Sequence, residues 1–305
     1  MMRPLTSAFA DKRILEASAE FGLSPSSPST NMRTRPAVRG RLFACSEWKA
    51  IYIGAAMRSF SRRVLKCIVW AVAPFTVSCG ASEAPDFAKE RARMVETVRA
   101  HAIQPGSGAP GGRISPRVLA SMASVPRHML VPERLRSSAY ADRPLPIGHG
   151  QTISQPYIVA LMTELLQPGP KDVVLEVGTG SGYQAAVLSL LVGHVYTIEI
   201  VEGLARRAAA DLARLGYANV TVRAGDGYKG WPQHAPFDGI VVTAAPKEVP
   251  PPLIAQLKPG GRLVMPLEDA LGHQSLIVLE KDRSGRMVRR KVIAVRFVPL
   301  TRNPR

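Results

Sequence analysis

Between residues 175 and 183 the chain reads Leu175-Glu176-Val177-Gly178-Thr179-Gly180-Ser181-Gly182-Tyr183, with glycines at alternate positions where an apolar run ends. Glycine at such a junction lets the backbone turn tightly and approach a ligand that a Cβ would exclude. The spacing differs from the G-x-G-x-x-G that seats a diphosphate on a helix N-terminus. With Glu176 two positions before the first glycine, it suits a ligand carrying an ammonium and a sulfonium better than one carrying a diphosphate. Two more carboxylates follow at strand ends. Glu199 is placed to accept both hydroxyls of a ribose, and Asp226, inside Gly225-Asp226-Gly227, to accept an adenine amino group. An isolated Gly-Asp-Gly is a common turn, but three such elements at the carboxyl edge of one sheet describe a nucleoside site. The candidate cofactor contacts are therefore Glu176, Gly178, Thr179, Gly180, Ser181, Gly182, Glu199, Asp226 and Gly227.

The glycine loop resembles that of class I S-adenosylmethionine methyltransferases. Many amino-group methyltransferases carry an Asn/Asp-Pro-Pro-aromatic clamp after the fourth strand, where this chain has Val242-Thr243-Ala244-Ala245-Pro246, so the acceptor is sought elsewhere. Before the first strand runs Pro144-Leu145-Pro146-Ile147-Gly148-His149-Gly150-Gln151-Thr152-Ile153-Ser154-Gln155-Pro156. With Val125-Pro126-Arg127, Tyr140-Ala141-Asp142, Phe237-Asp238 and Val295-Arg296-Phe297-Val298-Pro299-Leu300, it resembles the protein-L-isoaspartate O-methyltransferase family over residues 86 to 302. The resemblance implies S-adenosylmethionine as methyl donor without a metal, isoaspartyl-containing proteins and peptides as acceptors, and methylation of their free α-carboxyl group. It also implies repair of damaged aspartyl and asparaginyl sites through a succinimide. The family's active-site serine falls on Ser154, and Thr152, Ile153 and Gln155 belong to the substrate pocket that the resemblance implies.

The chemistry suits these residues. A carboxylate oxygen is already nucleophilic, so positioning and desolvation supply most of the acceleration and no strong general base is required. Ser154 can donate a hydrogen bond to the substrate carboxylate. It also stands just before Pro156, where serine is a favoured helix cap, and the two roles are compatible. His149, flanked by glycines, reads as a structural or exposed residue. His128, His194, His234 and His273 have no metal-ligand spacing. Arg127 and Arg143 could attract the substrate's negative charge, although arginines in so basic a chain are mostly surface residues.

The elements that must hold these residues can be read from periodicity. Residues 85–105 carry Met94, Val95, Val98 and Ile103 among charges, the stripe of an amphipathic helix. Ser115-Pro116 opens a second helix through Met122, and the proline-rich stretch 125–156 is expected as extended loop with short helical pieces. Then comes a regular alternation of helix 156–167, strand 173–177, helix 183–191, strand 194–200, helix 201–215, strand 220–223, strand 239–243 and helix 249–257. A Lys258-Pro259-Gly260-Gly261 turn and strands near 262–266, 275–280 and 290–297 complete the set. The expected fold is α/β, a Rossmann-like class I methyltransferase fold: a seven-stranded, mostly parallel sheet with helices on both faces, one antiparallel strand near the end, and an N-terminal helical extension.

The chain has 305 residues and a formal net charge of +17, which would favour nucleic acid, membranes or acidic peptides. Aromatic residues make up only 6% and do not cluster, which argues against specific nucleic-acid binding through base stacking. Cys45, Cys67 and Cys79 all lie in the first 80 residues, so the remainder can form neither an internal disulfide nor a thiolate metal site. Residues 1–84 read as a leader without fixed structure, ahead of a methyltransferase domain over 85–305. Arg58, Arg62, Arg63 and Lys66 precede the apolar run CIVWAVAPFTV, the layout of an export signal too short to span a bilayer as a mature helix. The alternative is a start at Met57 in a misassigned leader. The domain is expected to be a cytoplasmic monomer without stable membrane association, with export as the alternative if the 57–80 segment is functional.

Overall fold

The computed structural model describes residues 86–302. The leader, its cysteines and the export-signal reading lie outside the described residues. Helix α1 (Phe87–Ile103) buries Met94, Val95, Val98 and Ala102, and Asp86 caps it by accepting from the backbone N–H groups of Ala88 and Lys89 at 3.1 Å. Helix α2 (Pro116–Ser124) follows. The proline-rich segment then forms two 3₁₀ turns, Arg127–Leu130 and Glu133–Ser138, and a short antiparallel hairpin of β1 (Leu145–Gly148) and β2 (Gln151–Ile153). In β1 the alternation of buried Leu145 and Ile147 with exposed Pro146 and Gly148 is that of a half-buried strand.

Helix α3 (Pro156–Leu166) leads into β3 (Val173–Val177), followed by α4 (Tyr183–Ser189), β4 (His194–Glu199), α5 (Glu202–Arg214), β5 (Val220–Ala224) and β6 (Phe237–Val242). Helix α6 (Pro251–Ala255), β7 (Leu257–Glu268), β8 (Gln274–Lys281) and β9 (Met287–Val295) complete the domain. The sheet order is β5-β4-β3-β6-β7-β8-β9. Strands β3 to β7 pair in parallel, and β8 runs antiparallel to both β7 and β9. The expected α/β fold with a seven-stranded, mostly parallel sheet is thus the observed one. The Lys258-Pro259-Gly260-Gly261 turn lies inside β7, where the pairing jumps from Phe237↔Leu257 to Gly239↔Arg262 as a bulge.

Both faces of the sheet are buried, which is why its central strands are continuous apolar runs rather than alternating ones. Val174 and Val241 point into the larger core with α1 to α5, while Leu175, Val177, Ile240 and Val242 point into a second core closed by Trp231, Leu253 and Leu257. Among the described residues the two faces are unequally clad, the second being covered by the short α6 and the 3₁₀ turns Gly227–Lys229 and Pro232–His234. After β9 the chain turns back along the carboxyl edge of the sheet. Ala245 donates to Val298 O at 2.8 Å and Leu300 donates to Ala245 O at 2.9 Å, so residues 298–300 form a strap beside the end of β6.

Candidate active site

The chain direction reverses at β3, which has β4 on one side and β6 on the other, and a crevice opens at the carboxyl ends of these strands. Gly178 and Gly180 adopt φ of 100° and 53°, open to glycine without strain. A Cβ on Gly178 would collide with the Thr243 hydroxyl. Gly182 has φ 83° and faces Leu212 of α5, so it packs helix on helix rather than facing the crevice.

Glu199 ends β4 with 5% of its surface exposed. Its Oε2 accepts from Gly180 N at 2.8 Å and its Oε1 from Val201 N at 2.9 Å. Each carboxylate oxygen can accept more than one hydrogen bond, so this anchoring aims the group while leaving it able to bind hydroxyls. Glu176 is different. It is 1% exposed and accepts from Thr197 Oγ1 at 2.6 Å; Thr197 in turn shares a 2.6 Å hydrogen bond with Thr179. Burial pushes its carboxyl up to about 8, the nearby Glu199 charge acts in the same direction, and the Thr197 hydrogen bond opposes them. Glu176 is therefore mostly neutral at pH 7. Ser181 accepts from Tyr183 N at 3.3 Å, and Asp226 closes a 3₁₀ turn by accepting from Tyr228 N at 2.9 Å.

Three adjoining hollows make one tract. The first, about 530 Å³ including its mouth, is walled by Val177, Gly178, Gly180, Glu199, Ile200 and Gly227 and roofed by Gln151, Thr152 and the 298–301 strap. The second, about 1000 Å³, is lined by Ser154, Gln155, Ile158, Thr243, Val295 and Phe297. A crevice of about 310 Å³ joins Ser154 to Glu176, Thr179, Ser181 and Tyr183. Thr152 and Thr243 line all three. The hairpin flanks the glycine loop, with Ile147 beside Gly180 and the exposed His149 beside Gly203.

Ser154 is half-buried, and among the described residues its Oγ makes no hydrogen bond. It is not the helix cap. The cap position of α3 is Gln155, and Asp142 supplies the capping bond from a distance by accepting from Tyr157 N at 2.9 Å. Asp142 also accepts from Gln155 Nε2 at 2.9 Å, which fixes Gln155 to the scaffold. Ile153 is 2% exposed and forms wall from within the core. Arg127, expected at the surface, is fully buried, with Nη2 donating to Ser154 O at 2.7 Å; Arg143 is exposed. Thr243 was not singled out from sequence. Its hydroxyl donates to Gly178 O at 2.6 Å and so ties the end of β6 to the glycine loop. Its position at the carboxyl end of a central strand was the available signal.

Among the described residues no group of three or more His, Cys, Asp or Glu side chains could hold a metal ion, and no helix is long and apolar enough to cross a membrane. Residues 109–305 match the protein-L-isoaspartate(D-aspartate) O-methyltransferase family. The chain is 55% identical over 222 residues to protein-L-isoaspartate O-methyltransferase 2 of Syntrophobacter fumaroxidans, covering 73% of this chain and 90% of that protein. A solved protein-L-isoaspartate O-methyltransferase superposes with a TM-score of 0.62 at 29% identity, covering 70% of this chain and 67% of the other. A Plasmodium falciparum structure described as a protein-L-isoaspartate O-methyltransferase in complex with S-adenosyl-L-homocysteine superposes with a TM-score of 0.58 at 24% identity, covering 69% and 98% of the two chains.

Proposed function

Because the chain belongs to the protein-L-isoaspartate(D-aspartate) O-methyltransferase family, we propose that it methylates the free α-carboxyl group of L-isoaspartyl residues in damaged proteins and peptides, using S-adenosylmethionine and so starting their repair through a succinimide. The observation that carries this reading is the tract itself: a serine hydroxyl that makes no hydrogen bond among the described residues on one side, a glycine loop with an anchored carboxylate on the other, and Thr152 and Thr243 between them.

The residues fit a nucleoside. Gly178 and Gly180 line the hollow in conformations open to glycine, and Glu199 presents a held carboxylate beside them. Glu199 would hold the ribose hydroxyls, and Gly227 with Asp226 the adenine side. Bound there, S-adenosylmethionine supplies a methyl group on a positively charged sulfur, which an ionised carboxylate can take without a general base. Ser154 orients that carboxylate by donating one hydrogen bond. Ile158, Val295 and Phe297 give the hollow beside Ser154 an apolar wall. The reading favours a monomer and the cytoplasm, where the methyl donor is made.

The test is methyl transfer from labelled S-adenosylmethionine to a synthetic isoaspartyl peptide. Saturable labelling, base-labile as a carboxyl methyl ester, is expected; absence of labelling by a folded, cofactor-binding protein would overturn the proposal.

A further inference from the structure

Arg127 is 0% exposed and lies on the 3₁₀ turn Arg127–Leu130, in the larger core. Its Nε donates to Ala139 O at 2.7 Å and its Nη2 to Ser154 O at 2.7 Å. Its guanidinium carbon stands 4.6 Å from the ring centroid of Tyr183, the first residue of α4, directly after the glycine loop. The remaining Nη1 has no hydrogen-bond partner among the described residues. Burial pulls the pKa down to about 10, with Tyr183 and Asp142 acting in the opposite direction, so the group stays charged at neutral pH.

A guanidinium buried without a direct carboxylate contact among the described residues carries a desolvation cost that its two carbonyl bonds and its ring contact must offset. What the arginine gains is reach. One rigid, planar group touches the substrate loop at Ser154 and the foot of the cofactor loop at Tyr183, and both residues line the same crevice. Asp142 holds the next residues of the same loop through Gln155 and Tyr157, so the Ser154 backbone is gripped from two sides. Transfer between two bound groups depends steeply on their separation and alignment, and a shift of about 1 Å can cost about a hundredfold in rate.

We propose that Arg127 is a positioning residue that sets the spacing between Ser154 and the glycine loop, and thereby between the methyl acceptor and the methyl donor. The proposal rests on the reading of the site given above. Lysine keeps the charge but lacks the planar fork that spans two carbonyls while lying over a ring. The Arg127→Lys and Arg127→Met chains are compared with the parent in steady-state kinetics on an isoaspartyl peptide, in S-adenosylhomocysteine binding by calorimetry, and in thermal unfolding. The expected result for Arg127→Lys is a kcat lowered about tenfold or more, a KM changed less, and a nucleoside Kd within about twofold of the parent. Arg127→Met should lose more kcat; should it fail to fold, the lysine variant decides alone. A merely structural role would lower the melting temperature but leave kcat per folded molecule within about twofold in Arg127→Lys, and that outcome overturns the proposal. An inactive parent chain would instead strike the functional reading on which it rests.

Discussion

Removing one oxygen atom from Ser154 tests whether its hydroxyl serves the substrate or the fold. In Ser154→Ala the fold loses no bond, because among the described residues the Ser154 hydroxyl makes none, the capping bond of α3 comes from Asp142, and Arg127 holds the backbone carbonyl, which alanine retains. Stability should therefore change by no more than about 0.5 kcal/mol, the usual range for a half-buried site without such partners. The loss falls on the substrate. A hydrogen bond to a charged group contributes about 1.5 to 3 kcal/mol, which in the transition state amounts to a roughly tenfold to hundredfold fall in kcat/KM. Cofactor binding should stay within about twofold, since Glu199 and the glycine loop hold the nucleoside. The assay pairs turnover on an isoaspartyl peptide with thermal unfolding and S-adenosylhomocysteine calorimetry. If the hydroxyl served only the fold, the variant would lose about 1 kcal/mol of stability, roughly 2–4 °C in melting temperature for a domain of this size, and keep its activity. A fully active Ser154→Ala protein refutes the assignment.

Glu199→Ala should weaken S-adenosylhomocysteine binding by about 1.5 to 3 kcal/mol, and it should also lower the melting temperature because Gly180 N and Val201 N lose their acceptor; unchanged affinity by calorimetry would remove Glu199 from the site. Glu176 binds a proton in the folded chain up to about pH 8 that the unfolded chain releases near its ordinary 4.5. Its contribution to stability is thus complete below about 4.5 and is lost as the pH rises through about 8. Glu176→Gln, which has no proton to lose, should flatten that decline, so the difference in melting temperature between variant and parent should move in the variant's favour between about pH 5 and pH 8; parallel curves would contradict the buried, neutral carboxyl. A chain beginning at Pro85 should fold and turn over at the parent's rate, because the residues that form the tract all lie beyond it; a many-fold loss of kcat in the folded shorter chain would move the domain boundary.

The parallel sheet and its glycine loop were legible because each depends on local pattern. Val173–Val177 is an apolar run of strand length bounded by glycine, and Glu199 and Asp226 mark strand ends whatever the rest of the chain does. The hairpin β1–β2 was hidden because its strands are short, interrupted by Pro146 and joined through Gly148 and Gly150, which together read as loop. Long-range partners were the harder class. Serine before Pro156 has the local appearance of a cap, and only the approach of Asp142 from another segment shows the bond to be supplied elsewhere. Arg127 likewise looks like one surface arginine among many, since its burial depends on Ala139, Ser154 and Tyr183, which the fold brings together. Thr243 lay at the correct strand end, but a lone threonine carries no spacing to mark it.

One competition measurement bears most directly on the proposed activity. Equal amounts of one peptide in its isoaspartyl and normal aspartyl forms, told apart by an isotopic label, are incubated with the protein and S-adenosylmethionine, and the methyl group is located by fragment mass spectrometry. The two forms share composition and charge and differ only in which carboxyl group is free beside the chain. Methyl ester on the α-carboxyl of the isoaspartyl form, with the aspartyl form left unmodified, is the predicted result. Equal methylation of both forms, or label on neither, would contradict it.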